Sequence, residues 1–144
     1  MKENLLTIEE ATLPSRVKVD LQVMAPYMPV QQLINTIELM RGEEGNFFID
    51  TIAELANRVR NWDPESDKAI LHYFGMGYDW LIIEPQRDGV AFGWANLGDP
   101  QSAEYGSIYI PEILQASPYF QLDYHWTPVS SEEAVKMMLK KYEA

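Results

Sequence analysis

The chain carries two imidazoles, His72 and His125, and with Asp123 these are the residues best suited to hold a metal or move a proton. Asp123 and His125 stand two apart in a run that reads as a strand, so both side chains leave one face. His72 would complete a set of two histidines and one carboxylate, the ligand type of a metal-dependent hydrolase. The same residues also read as a solvated outer face made of Gln121, Asp123 and His125. A serine–histidine–aspartate arrangement would need one of the two histidines beside a serine. Ser102, Ser107, Ser117, Ser130 and Ser131 are available, but none lies in a GxSxG elbow. No phosphate-binding loop of the GxxxxGK type and no HExxH zinc helix is present. Asp79 and Glu84 sit at odd spacing in one strand and face opposite sides, which makes them poor acid–base partners. Asp79, after a turn and before Trp80, suits a structural hydrogen bond. There is no cysteine, which excludes disulfides, thiolate metal sites and a thiol nucleophile. No cofactor and no tightly bound metal is expected.

Charge gives a second lead. Eleven Lys and Arg face 22 Asp and Glu, a net charge of −11. Direct nucleic-acid binding is disfavoured, because phosphate recognition needs bases that displace counterions. An anionic membrane surface would repel the chain as well. Between Glu84 and Glu133 there are eight acids and one base, Arg87. Asp88, Asp99, Glu104, Glu112 and Asp123 fall in turns or at strand edges of this segment and are the candidate acidic face. Such a face either solubilises the protein or imitates a phosphate track and docks on a basic surface of another protein. Trp80, Trp94, Trp126, Tyr73, Tyr78, Phe92, Tyr105 and Tyr109 are interleaved with acids rather than bases, which argues for core over a nucleic-acid stacking platform.

The elements that must position these groups follow from periodicity. Hydrophobic residues at 47% and aromatics at 12% specify a globular domain. Leu5–Ala11 reads as a short helix capped by Thr7 with Glu10, ended by Pro14. Arg16–Val23 alternates strictly and predicts a half-buried strand. Val30, Leu33, Ile34, Ile37 and Met40 share a helical face, and Gly42 stops the run. Ile49, Ile52, Ala53, Ala56 and Val59 form a second stripe, with Asn46 as its cap and Arg58 and Arg60 at its C-terminal end. Around Asp67 the periodicity changes from helical to two-residue. Strands are predicted over 69–74, 78–84, 90–96, 105–110 and 119–126, the last with Phe120, Leu122, Tyr124 and Trp126 on one face. Gly75-Met76-Gly77 and Asp88-Gly89 supply the positive φ of tight hairpins. Pro111 opens a short helix, and a capping box of Ser130 and Glu133 starts the last one. The expected fold is α+β, an antiparallel four- to five-stranded meander sheet with helices packed on one face. Residues 1–66 form an N-terminal segment and 67–144 the sheet core with its C-terminal helix. No signal-length apolar run follows Met1, and no window reaches the roughly 18 apolar residues of a membrane span, so a cytoplasmic protein is expected.

From His72-Tyr73-Phe74 through Asp79-Trp80, Ala91-Phe92-Gly93, Glu104-x-Gly106-x-Ile108-x-Ile110-x-Glu112 and Leu122-Asp123 to Trp126-x-Pro128, the ordered set resembles a family of small plasmid, phage and conjugative-element proteins catalogued as a domain of unknown function. The resemblance covers about Ile70 to Pro128 and implies a compact α+β domain of mobile-element origin, with no catalytic residue to carry over. The favoured expectation is a non-enzymatic acidic binding protein, an inhibitor or adaptor for a protein with a basic surface. The alternatives are a small metal-dependent hydrolase built on His72, Asp123 and His125, and a housekeeping accessory protein.

Overall fold

The computed structural model describes residues 7–143. The expected helix at Leu5–Ala11 begins outside them; within them, 7–10 is helical. Three helices follow, α1 (Ser15–Met24), α2 (Val30–Met40) and α3 (Gly45–Arg60), each of the first two opened by a proline at the N-cap.

Helix α1 replaces the strand expected over Arg16–Val23. Val17 and Leu21 fit both a two-residue and a helical repeat, so they could not discriminate. The deciding positions are Val19, which is exposed, and Met24, which is buried with Val17 and Leu21 at i, i+4 and i+7. Packing settles the contest: α1 lies on α3, and Asp20 pairs with Arg60 at 2.7 Å. In α3 the N-cap is Glu44, so Asn46 lies inside the helix instead of capping it, and Leu55 joins Ile52 and Ala56 in the buried stripe.

The sheet contains β2 (Leu71–Gly75), β3 (Tyr78–Arg87), β4 (Val90–Leu97), β5 (Glu104–Tyr109) and β6 (Gln121–Leu122), after a short β1 (Lys68–Ala69). Its order is β5-β4-β3-β2-β6, antiparallel throughout, while β1 pairs with β7 (Val129–Ser130). Both hairpin turns take the left-handed backbone expected of them, at Met76 and Gly77 (φ 50° and 81°) and at Asp88 and Gly89 (φ 53° and 89°). After β5, α4 (Ile110–Gln115) carries the chain back to β6 on the opposite edge. The run 119–126 pairs only over Gln121–Leu122. Asp123 Oδ1 accepts the His125 N–H at 2.9 Å, a local turn that competes with the ladder. Trp126 consequently leaves the face shared by Phe120, Leu122 and Tyr124.

The sheet is buried on both sides. Leu71, Tyr73, Trp80, Ile82, Ala91 and Ile108 meet the N-terminal helices in a core that draws side chains from both sides of the 66/67 boundary. On the other face, Leu81 and Trp94 form a smaller cluster with Ala69, Trp126, Ala134 and Met138. The last two belong to α5 (Ser131–Lys140), whose Ser130 cap accepts the Glu133 N–H as its capping box requires. The N-terminal helices thus share one face, and the C-terminal helix covers the other.

The two sheet edges end differently. At β6, the Gln32 side chain substitutes for a strand: its Nε2 donates to Leu122 O and its Oε1 accepts from Leu122 N, both at 2.9 Å. Gln32→Ala leaves both main-chain groups of Leu122 unpaired beside the core and should cost about 2 kcal/mol by urea denaturation. Among the described residues the edge at β5 has no such cover.

Candidate functional site

His72 and Asp123 do come together, as part of an ionic chain under the C-terminal helix. His72 and Leu81 are register partners, as are Phe74 and Asp79, so the β2–β3 hairpin sets Asp79 diagonally across from His72 on the face toward α5. His72 Nδ1 lies 2.8 Å from Asp123 Oδ2, and Nε2 lies 2.7 Å from Asp79 Oδ1. Lys141 Nζ donates to both oxygens of Asp79, at 2.9 and 3.0 Å. Next to it, the Tyr142 hydroxyl donates to Gly77 O and accepts from Asn96 Nδ2, which latches the end of the chain onto the hairpin. The His72 ring packs against Phe74 and Trp126.

Carboxylates only accept, so both ring nitrogens of His72 carry protons. Burial by itself lowers the pKa of the imidazolium, but the hydrogen bonds and charges of Asp123 and Asp79 outweigh it and hold the pKa above 6.5. Burial would raise both carboxyls; bonding to His72, with Lys141 at Asp79 and the His125 N–H at Asp123, holds them below 3.8.

This arrangement does not assemble the alternative metal set of His72, Asp123 and His125. His72 has no free nitrogen to ligate with or to act as a base, and Asp123 is already engaged. The His125 ring is instead 6.1 Å from the Phe47 ring, and the hydrogen bond from His125 to Asp123 is made by its main-chain N–H. Among the described residues no three histidine, aspartate or glutamate side chains converge on a metal position. None of the hydrogen bonds of His72 goes to a serine. The sequence reading gave Asp79 a structural hydrogen bond without identifying His72 as its partner, and it missed Lys141 as the second cation on Asp79. The tight turn at 75–77 fixes the hairpin register and carried the signal for Asp79; nothing local signalled Lys141.

The candidate acids do not make one face. Asp123 is committed to His72 beyond the β6 edge, so it is not a free contact residue. The other four gather at the two ends of β5. Glu104 opens the strand, and Asp99 precedes it, accepting from Gln101 N and Ser102 Oγ. A hollow of about 280 Å³ lies between Asp99, Glu104, Leu97 and Ile108. At the other end, the Asp88-Gly89 turn lies against β5, since Ile110 N donates to Gly89 O at 2.8 Å, and Glu112 sits in the first turn of α4. Between these ends the sheet shows solvent an aromatic patch. Register pairs Val90 with Tyr109, Phe92 with Ser107 and Trp94 with Tyr105, all on one face. Val90, Phe92, Tyr105 and Tyr109 are between 38% and 49% exposed, and the Phe92 and Tyr105 rings stack at 6.4 Å. The buried Trp80, Trp94, Trp126 and Tyr73 are core, as expected for the aromatics, whereas this patch is not.

A separate groove of about 1080 Å³ runs between the turn at Ala25–Tyr27, the Asp88-Gly89 hairpin and α4, with Met28, Pro111 and Leu114 on its walls. Its floor is held by Tyr27, whose hydroxyl accepts from Gln86 N and whose carbonyl accepts from the Tyr73 hydroxyl.

No helix among the described residues is long and apolar enough to cross a membrane. Comparison with known proteins finds no matching family model, no similar curated protein and no similar solved structure.

Proposed function

We propose that this chain is a non-enzymatic acidic binding protein that docks on a basic surface of another protein, as an inhibitor or adaptor. The observation that carries the reading is the placement of Asp88, Asp99, Glu104 and Glu112 at both ends of a sheet edge with exposed tyrosines between them. Acids bracketing an aromatic patch attract a basic partner and give it a dry centre to bury. The resemblance over Ile70 to Pro128 adds a mobile-element origin to this reading and makes a host protein the natural target. A metal-dependent hydrolase has little to rest on once His72 is held by two carboxylates.

Exposed charge pairs are worth about 0.2–1 kcal/mol each, so single alanine changes at the four acids should weaken binding only slightly. Reversing all four to lysine should abolish it while far-ultraviolet circular dichroism stays unchanged. Affinity should also fall with salt, because the Debye length is about 8 Å at 0.15 M. The check is affinity purification from the native host with wild-type and reversed protein, at low and moderate salt, read by quantitative mass spectrometry. Partners retained equally by the reversed variant at both salt levels would refute the reading.

A further inference from the structure

We infer that β5 is an acceptor edge, onto which the partner adds an extended, basic segment as a sixth strand. The inference rests on the acidic-docking reading above and specifies its mode. Ile110 N bonds to Gly89 O, and the β4–β5 register is uniform, so the hydrogen-bonded pairs are Ile108 with Ala91, Gly106 with Gly93 and Glu104 with Ala95. The intervening residues Tyr105, Ser107 and Tyr109 therefore direct their main-chain N–H groups, and Tyr105 and Ser107 their carbonyls, away from β4. Among the described residues nothing pairs with these groups, whereas the opposite edge is closed by Gln32. An open edge of this kind is a template for another strand.

Three features choose the occupant. Six residues of β5 span about 20 Å, which sets the length of the added segment. Acids stand at both ends of that span, so a base is required at each end of the segment. The 280 Å³ hollow beside Asp99 and Glu104 has room for one such side chain. Between the ends, alternate side chains of the segment would lie over Tyr105, Tyr109 and the stacked Phe92, a surface suited to apolar or guanidinium groups. A second copy of the chain is rejected by the same charges. Antiparallel self-pairing about Ser107 would set Glu104 of one chain beside Ile110–Glu112 of the other, at both ends, between molecules of net charge −11.

The test uses the full chain and a capped ten-residue peptide of alternating valine and threonine flanked by two arginines at each end. Binding is read by fluorescence anisotropy and by amide hydrogen exchange. The peptide should bind, slow exchange at Tyr105, Ser107 and Tyr109, and leave the protein monomeric. Ser107→Pro removes an N–H that pairs with nothing among the described residues and sits where an edge strand tolerates proline. It should weaken binding about tenfold or more, since a carbonyl of the peptide is left unpaired. The peptide N-methylated at alternate nitrogens, tested on wild-type protein, should lose binding similarly and does not depend on the variant folding. No peptide binding, or protection appearing elsewhere, would overturn strand addition. If charge reversal at the four acids weakens binding but Ser107→Pro and N-methylation do not, strand addition falls and acidic docking stands. Peptide binding that ignores both charge reversal and salt would instead defeat the acidic-docking reading.

Discussion

Replacing His72 by leucine should lower stability by about 3–5 kcal/mol, the usual result of removing one partner from a buried ionic pair. The reason lies in what remains. Asp79 is 2% exposed and would lose one of its two cationic partners, and Asp123 would lose its side-chain hydrogen bond to His72. Lys141 still reaches Asp79 and the His125 N–H still reaches Asp123, so the lower end of the range is expected. For a chain of 144 residues that corresponds to a fall in Tm of roughly 10 °C. Adding Asp79→Asn to His72→Leu should recover part of the loss, because a buried charge then disappears with its partner. Additive losses in the double variant would mean that the two groups do not act as a pair.

The pH dependence has a definite sign. The His72 pKa is raised above 6.5 in the folded protein, so its contribution is complete below pH 6.5 and fades as pH rises through the raised value. Asp79 and Asp123 are held below 3.8, so theirs is complete above pH 3.8 and fades as pH falls through the lowered values. The stability gap between wild-type protein and His72→Leu should therefore be widest at about pH 5–6 and narrower on the alkaline side. Urea titrations of both proteins at about pH 5.5 and about pH 8.5 test this, and a gap that widens with alkali contradicts the assignment of a doubly protonated ring.

The parts of this fold legible in the sequence are those set by local chemistry. Asp88-Gly89 and Gly75-Met76-Gly77 fix their hairpins because few residues adopt positive φ there, and Ser130 with Glu133 starts a helix because both groups act within one turn. Those that escaped depend on partners distant in sequence. Arg16–Val23 has a pattern compatible with two periods, and only its packing on α3 makes it a helix. The run at 119–126 alternates in composition, yet Asp123 uses its side chain to turn the chain away from the ladder. At the candidate site, charge asymmetry was visible from composition, but the gathering of four acids at β5 depends on strand order. His72 and Asp123 were legible as residue types with chemistry. Their pairing joins residues 51 apart in sequence, and the ionic chain it belongs to adds Asp79 and Lys141, which lie 7 and 62 residues from their respective partners His72 and Asp79.

Two glycines directly opposite each other in the β4–β5 ladder should respond very differently to a methyl group. Gly93 and Gly106 are register partners, and neither has the positive φ that would exclude alanine on conformational grounds. A Cβ at Gly93 would stand 1.8 Å from Leu81 O, 2.9 Å from Leu81 C and 3.0 Å from Ile108 Cδ1. The obstacle is the main chain of the central strand β3, at a point where that strand gains an extra residue against β4 between Ile82 and Glu84. No rotamer change relieves a clash with a carbonyl, so the two strands must separate or the bulge must shift. Gly93→Ala should therefore cost more than about 4 kcal/mol, at the exceptional end of single substitutions. A Cβ at Gly106 would meet nothing within 4 Å. Gly106→Ala should be neutral or stabilise by up to about 1 kcal/mol, because alanine lowers the entropy of the unfolded chain. Urea denaturation of the two variants side by side measures the difference. Equal costs would show that the strand itself rejects alanine, and that the approach of Leu81 to Gly93 is not the cause.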